Sequence, residues 1–244
     1  MEEDGYAVFR RPKWAIFLFG GIMNTKNTTK RIVMIGMLSA FAFALTCIGN
    51  MIPIKVAGFL DYDPKDIIIV IAGFILGPVA SLIIAVITAL IELITISQTG
   101  LIGFVMNIIS TAFFTVPAAL IYQKNRTLKG AIIGLITGIF SMCAAMMLWN
   151  YLITPLYMAG TNREMIAKML PTVFLPFNLV KGSANAALAM MLYKPVVTAM
   201  RRAGLVEDAQ GRDKRSDTKI LLMVVCVMIF AICVLSFLVL GGVI

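Results

Sequence analysis

The run Ile67-Ile68-Ile69-Val70-Ile71-Ala72-Gly73-Phe74-Ile75-Leu76-Gly77-Pro78 opens a stretch that stays apolar to about Ser97. How many helices it holds decides the topology of the whole chain. Proline cannot donate to the preceding turn, and Gly-Pro is strong punctuation, so the stretch reads as two helices turning at Gly77-Pro78. Outward from it lie a span from about Ile32 to Gly49, then Leu101 to Tyr122, Leu128 to Leu152, and Pro171 to Leu192. Each is long enough to cross about 30 Å of hydrocarbon, which gives six spans. A single kinked helix through Gly77 would instead carry Lys124 to Lys129 to the opposite side of the bilayer.

Composition sets the class. The chain has 244 residues, of which 60% are hydrophobic and 14% charged, far from the soluble average. It contains no histidine, which removes the commonest general base and metal ligand and the hydrolase, metalloprotease and haem chemistries that depend on it. Cys47, Cys143, Cys226 and Cys233 fall in apolar segments without paired spacing, so neither a zinc site nor a disulfide framework is expected. No GxxxxGK[ST] loop is present, so the chain carries no ATP-hydrolysing site of that type.

The net charge of +9 is a topology signal rather than a nucleic-acid footprint, because the basic residues crowd beside apolar segments. Arg10 to Arg31, Lys124 to Lys129 and Lys194 to Lys219 supply most of them on one side, against Lys55, Lys65, Arg163 and Lys168 on the other. The positive-inside rule then puts the amino terminus in the cytoplasm and the connections Asn50 to Asp66 and Pro155 to Leu170 outside. Trp14 to Met23 is too short to span and reads as an interfacial anchor. The resulting plan is an amino-terminal extension (1–30), a six-helix membrane domain (31–200), a charged cytoplasmic linker (201–219) and an additional transmembrane helix (220–244). This is an all-α, multi-pass membrane protein.

Polar residues at membrane depth are the candidates for function. Burying the ammonium of Lys181 costs about 2.5 to 3.5 kcal/mol on insertion scales, so it marks a site by default. Asn178 lies one turn before it on the same helix face, and Asn150 ends the preceding span within Trp149-Asn150-Tyr151. Amides and an ammonium together can read the edge of a heterocycle, with Trp149, Tyr151, Tyr157, Phe174 and Phe177 available as apolar walls or as interfacial belt residues. Glu92, near the outer end of its helix, reads as a substrate ligand, a packing partner or, most simply, a snorkelling acid. Gly130, Gly134 and Gly138 form a ridge for close helix packing, while Ala40 and Ala44 form a similar groove on the first helix.

With these residues in view, the chain resembles the substrate-binding S components of energy-coupling factor vitamin transporters, specifically the riboflavin-specific members, over about Arg31 to Met200. The resemblance rests on Phe59-Leu60-Asp61-Tyr62-Asp63-Pro64-Lys65-Asp66, on Trp149-Asn150-Tyr151, and above all on Pro176-Phe177-Asn178-Leu179-Val180-Lys181-Gly182. It implies a six-helix bundle in the prokaryotic plasma membrane, with a pocket near the outer surface capped by the connection after the first helix. It further implies that Asn150, Asn178 and Lys181 hold the isoalloxazine ring of riboflavin, with Phe59 and Trp149 as walls and Asp61 near the ribityl hydroxyls. Ala40 and Ala44 match the small-residue motif by which such subunits dock on a coupling transmembrane subunit driven by two ATPases. Riboflavin is then cargo, and neither a cofactor, a metal, a nucleic acid nor a catalytic residue is expected. The rival readings are the same architecture for folate or another flavin, an intramembrane enzyme using Asp61, Asp63, Asp66 or Glu92, and an assembly subunit without ligand.

Overall fold

The structure, a computed structural model, describes residues 28–51, 55–56, 60–97, 99–157 and 162–205, with backbone alone at 28, 55–56 and 60–61. Phe59, the interfacial anchor, most of the charged linker and the additional helix 220–244 lie outside the described residues. The elements in chain order are α1 (Thr28–Met51), a two-stranded ribbon of β1 (Lys55–Val56) and β2 (Leu60–Asp61), α2 (Lys65–Leu76), α3 (Pro78–Thr95), α4 (Gly100–Lys124), α5 (Leu128–Tyr157), α6 (Arg163–Met169), a π-helical turn (Leu170–Phe174) and α7 (Leu175–Arg202). The ribbon is antiparallel and pairs Lys55 with Asp61 and Val56 with Leu60.

The deciding stretch is the centre of the bundle. Every residue of α2 from Lys65 to Leu76 is buried, which is what a helix apolar all round requires, and α1, α3, α4 and α7 pack around it. Gly77 makes the turn at φ 101°, a conformation that a Cβ would strain, and Pro78 then opens α3 at the helix start, where its missing N–H costs nothing. Arg31 Nη2 donates to the Leu76 carbonyl at 3.1 Å, so a cation satisfies one orphan acceptor at the carboxyl end of α2. At 12 residues α2 is about 18 Å long, shorter than the hydrocarbon layer. Among the described residues, four helices are long and apolar enough to cross a membrane: Thr29–Met51, Pro78–Thr95, Gly100–Lys124 and Leu128–Tyr157.

The glycine ridge works inside the bundle. A Cβ on Gly134 would lie 2.7 Å from the Ala118 carbonyl oxygen, and one on Gly138 would run into that of Phe114, so α4 and α5 meet backbone to backbone. Dispersion over such a contact is collectively large.

One sequence expectation fails. Pro155 to Leu170 reads as a polar outer loop, yet α5 runs to Tyr157 and the helical path resumes at Arg163. Asn162 caps α6 by accepting from the Met165 N–H at 2.8 Å, and Glu164 and Lys168 pair across one turn at 3.3 Å. Polarity here marks an exposed capped helix, not a loop. The π turn carries the chain past Pro171, whose ring would clash in a regular helix, and α7 follows directly.

Candidate functional site

α5 and α7 place the three residues that drew attention. Packing is tight at Gly182, where a Cβ would lie 3.0 Å from Met142 Cε and 3.1 Å from Ile139 Cγ1. Moving from that level toward the α6 end of the bundle, Lys181 and Asn178 lie about 1.5 and 6 Å up α7, and Asn150 lies about 12 Å up α5 from Met142. The three are thus staggered over about two turns at one end. All are buried: Asn150 and Asn178 are each 3% exposed and Lys181 8%.

Their hydrogen bonding differs in kind. Asn178 Nδ2 donates to the Phe174 carbonyl and Asn150 Nδ2 to that of Met146, both at 2.7 Å, and Thr154 Oγ1 donates to Asn150 Oδ1 at 2.9 Å. Each amide is therefore held rigid by its own helix. Lys181 makes no hydrogen bond or close ion pair among the described residues, so its three donor protons have no acceptor there. Trp149 is half-buried, and its indole Nε1 also lacks a partner among the described residues. Phe174 is fully buried, whereas Tyr151 and Tyr157 are exposed and Phe177 is half-buried, so the aromatic residues do not form one continuous wall. The backbone of Asp61 closes the ribbon, while its side chain and Phe59 lie outside what is described.

A second group went unrecognised in the sequence. Lys65, at the start of α2 and 1% exposed, pairs with Asp63 and donates to Glu92 Oε2 at 2.9 Å. Asn107 Nδ2 donates to the other Glu92 oxygen at 2.9 Å. Asp66 is completely buried and accepts from Thr111 Oγ1 at 2.6 Å. Tyr62 OH donates to Asn185 Oδ1 at 2.7 Å, and Asn185 Nδ2 donates to the Asp63 carbonyl at 3.2 Å. The connection after α1 is thereby pinned to α7 one turn below Lys181.

These contacts correct two expectations. Asp66 is a buried helix residue rather than part of an external loop, because the helix begins at Lys65 and draws its first turn into the bundle. Glu92 is not a snorkelling acid but one end of an ion pair crossing from α3 to α2. Spacing in sequence could have flagged Lys65 and Asp66 as charges beside an apolar run. Their distant partners, Glu92 on α3 and Thr111 on α4, could not be read that way.

Electrostatics tie the two groups together. Burial alone would raise the carboxyl pKa of Asp63, but the charge of Lys65, then that of Lys181, holds it below the usual range. Burial, reinforced by Asp66 and Asp63, pushes the Tyr62 phenol well above its ordinary value, so it stays a donor to Asn185. The arrangement suits binding, with fixed amides, a free ammonium and a pinned connection, and includes no nucleophile–base pair.

The comparisons agree in their reach. The sequence model of the family described as "ECF transporter, substrate-specific component" matches residues 30–193, from the start of α1 to Tyr193 in α7. The chain belongs to the substrate-specific components of ECF transporters. Among its relatives, the riboflavin transporter RibU of Staphylococcus aureus (strain TCH60) is 33% identical over 178 residues, covering 71% of this chain and 93% of that protein. The riboflavin transporter FmnP of Bacillus subtilis (strain 168) is 28% identical over 185 residues, covering 71% and 97%. A solved S component of a bacterial ECF transporter superposes with a TM-score of 0.58 at 31% identity, covering 71% of this chain and 98% of that one. Membership makes the chain a transport component rather than an enzyme, and removes the intramembrane-enzyme reading of Asp63, Asp66 and Glu92. In this S component Ala40 and Ala44 lie exposed along α1.

Proposed function

We propose that this chain binds riboflavin at the outer face of the plasma membrane and passes it inward as the substrate-specific subunit of an ATP-driven ECF transporter. The observation that carries the reading is Lys181, buried with no protein acceptor among the described residues and one turn from Asn178. A lysine at membrane depth without a partner is costly, and a ligand carbonyl or ring nitrogen supplies what it lacks. The similarity to two named riboflavin transporters supports flavin as that ligand. Asn150 and Asn178 complete the polar edge, Trp149 and Phe59 give apolar walls, and Asp61 lies toward the ribityl chain.

The finer architecture belongs to the same proposal. Six membrane helices, α1 to α5 and α7, make the binding domain from residue 31 to 200, the amino terminus is cytoplasmic, and 220–244 adds a further span after a charged cytoplasmic linker. The exposed Ala40 and Ala44 let a helix of the coupling transmembrane subunit approach α1 closely, and two ATPase subunits supply the energy.

Uptake of labelled riboflavin into membrane vesicles tests this reading. Vesicles holding the chain with its coupling subunits should accumulate riboflavin only with ATP, and excess unlabelled riboflavin should suppress the signal more than folate does. Accumulation of folate in preference to riboflavin, or none with ATP present, would overturn the proposal.

A further inference from the structure

Five charged side chains meet at the ligand end of the bundle: Asp63, Lys65, Asp66, Glu92 and Lys181. Four of them have contacts that can be traced. Lys65 is shared between Asp63 and Glu92, Asp63 also accepts from the Lys65 N–H at 3.1 Å and from Thr46 Oγ1 at 3.4 Å, and Glu92 has Asn107 on its second oxygen. Asp66 has Thr111 on Oδ1, but its Oδ2 is buried without a hydrogen-bond donor among the described residues.

That leaves one unmatched carboxylate oxygen and one unmatched ammonium, on α2 and α7, which pack against each other. Burial is the largest influence on Asp66 and works against its charge; of the charges that act on it, that of Lys181 is the largest. The distance exceeds that of an ion pair, so Lys181 is not locked onto the carboxylate, yet in a poorly screened interior the attraction persists beyond contact. The seat of Asp66 is fixed independently: Thr111 clamps it from α4, and Asp63, three residues before it, is held by Asn185, one turn from Lys181 on the same face of α7.

We infer that Asp66 is a positioning residue for Lys181, its free Oδ2 acting as the counter-charge that stabilises the ammonium and directs it at the ligand without capturing it. The inference rests on the riboflavin reading for its affinity prediction and on the charge pairing alone for its stability prediction. A structural acid would have been satisfied by a direct partner, as Asp63 and Glu92 are. An acid held short of its cation leaves the cation's donors for the cargo.

The test is a four-variant cycle on the full chain in detergent: wild type, Asp66→Asn, Lys181→Met and the double variant, with Asp66→Glu as the conservative control. Riboflavin affinity is read by quenching of flavin fluorescence, and stability by thermal unfolding without ligand. Asp66→Asn should weaken binding by about tenfold, and by less than about twofold when Lys181 is already Met. Asp66→Glu should retain most of the affinity. If Asp66→Asn folds poorly, adding Lys181→Met should restore stability, since the uncompensated charge is gone. An equal loss of affinity in both backgrounds, unchanged affinity in Asp66→Asn, or a double variant no more stable than Asp66→Asn would each overturn the inference. A wild-type chain that binds no riboflavin overturns the ligand reading instead, and the ligand-free stability comparison tells the two failures apart.

Discussion

At the scale of single residues, the cost of a buried charge organises the account. Lys181→Ala should weaken riboflavin binding by about 1.5 to 3 kcal/mol, the range for a hydrogen bond made by a charged group, measured by equilibrium titration. Lys65→Met acts differently, because it leaves Asp63 and Glu92 without their cation; breaking such a pair costs about 3 to 5 kcal/mol, so the unfolding temperature should fall whether or not ligand is present. Asp63 adds a pH dependence. Its carboxyl titrates below the unfolded value of about 4, so its contribution is present above that pH and is lost as pH falls through the lower folded value. Unfolding temperature should therefore drop on acidification below about pH 4, and less so in Asp63→Asn. The burial of Lys181, Asn150 and Asn178 was legible in the sequence because polar residues in an apolar run stand out by themselves. Glu92 and Asp66 were misjudged because their meaning lies in partners 27 and 45 residues away, which no local pattern encodes.

At the scale of elements, the Gly77-Pro78 turn and the glycine ridge carry the fold. Both were readable, since a backbone at φ 101° and a helix crossing without room for a Cβ each demand glycine. Gly134→Leu should force α4 and α5 apart and destabilise the chain by about 1 to 3 kcal/mol or more, seen as a lower unfolding temperature in detergent, whereas Gly36→Leu, where a Cβ meets nothing within 4 Å, should fold normally. The helix α6 was missed for a physical reason. Membrane periodicity is a signal of apolarity, and a short exposed helix held by an Asn162 cap and an i,i+4 pair has none to show. Likewise the continuous helical path from α6 past Pro171 into α7 depends on a π turn that proline content alone argues against.

At the scale of the whole molecule, the distribution of charge and the position of the site describe one directional device. Basic residues at the α4–α5 connection and at the end of α7 mark one face, while Tyr62 and Asp63, just before α2, are held to Asn185 toward the other. Single cysteines introduced at Lys129 and Arg163 should therefore label from opposite sides of intact cells, Arg163→Cys with an impermeant reagent added outside. Labelling of Lys129→Cys under the same conditions would invert the orientation. The central claim, that this end of the bundle is built for riboflavin, meets its most direct test in calorimetric titration of the purified full chain with riboflavin. Saturable binding of one riboflavin per chain, weakened in Lys181→Ala, is the predicted result; the absence of saturable binding, or binding indifferent to Lys181, would contradict it.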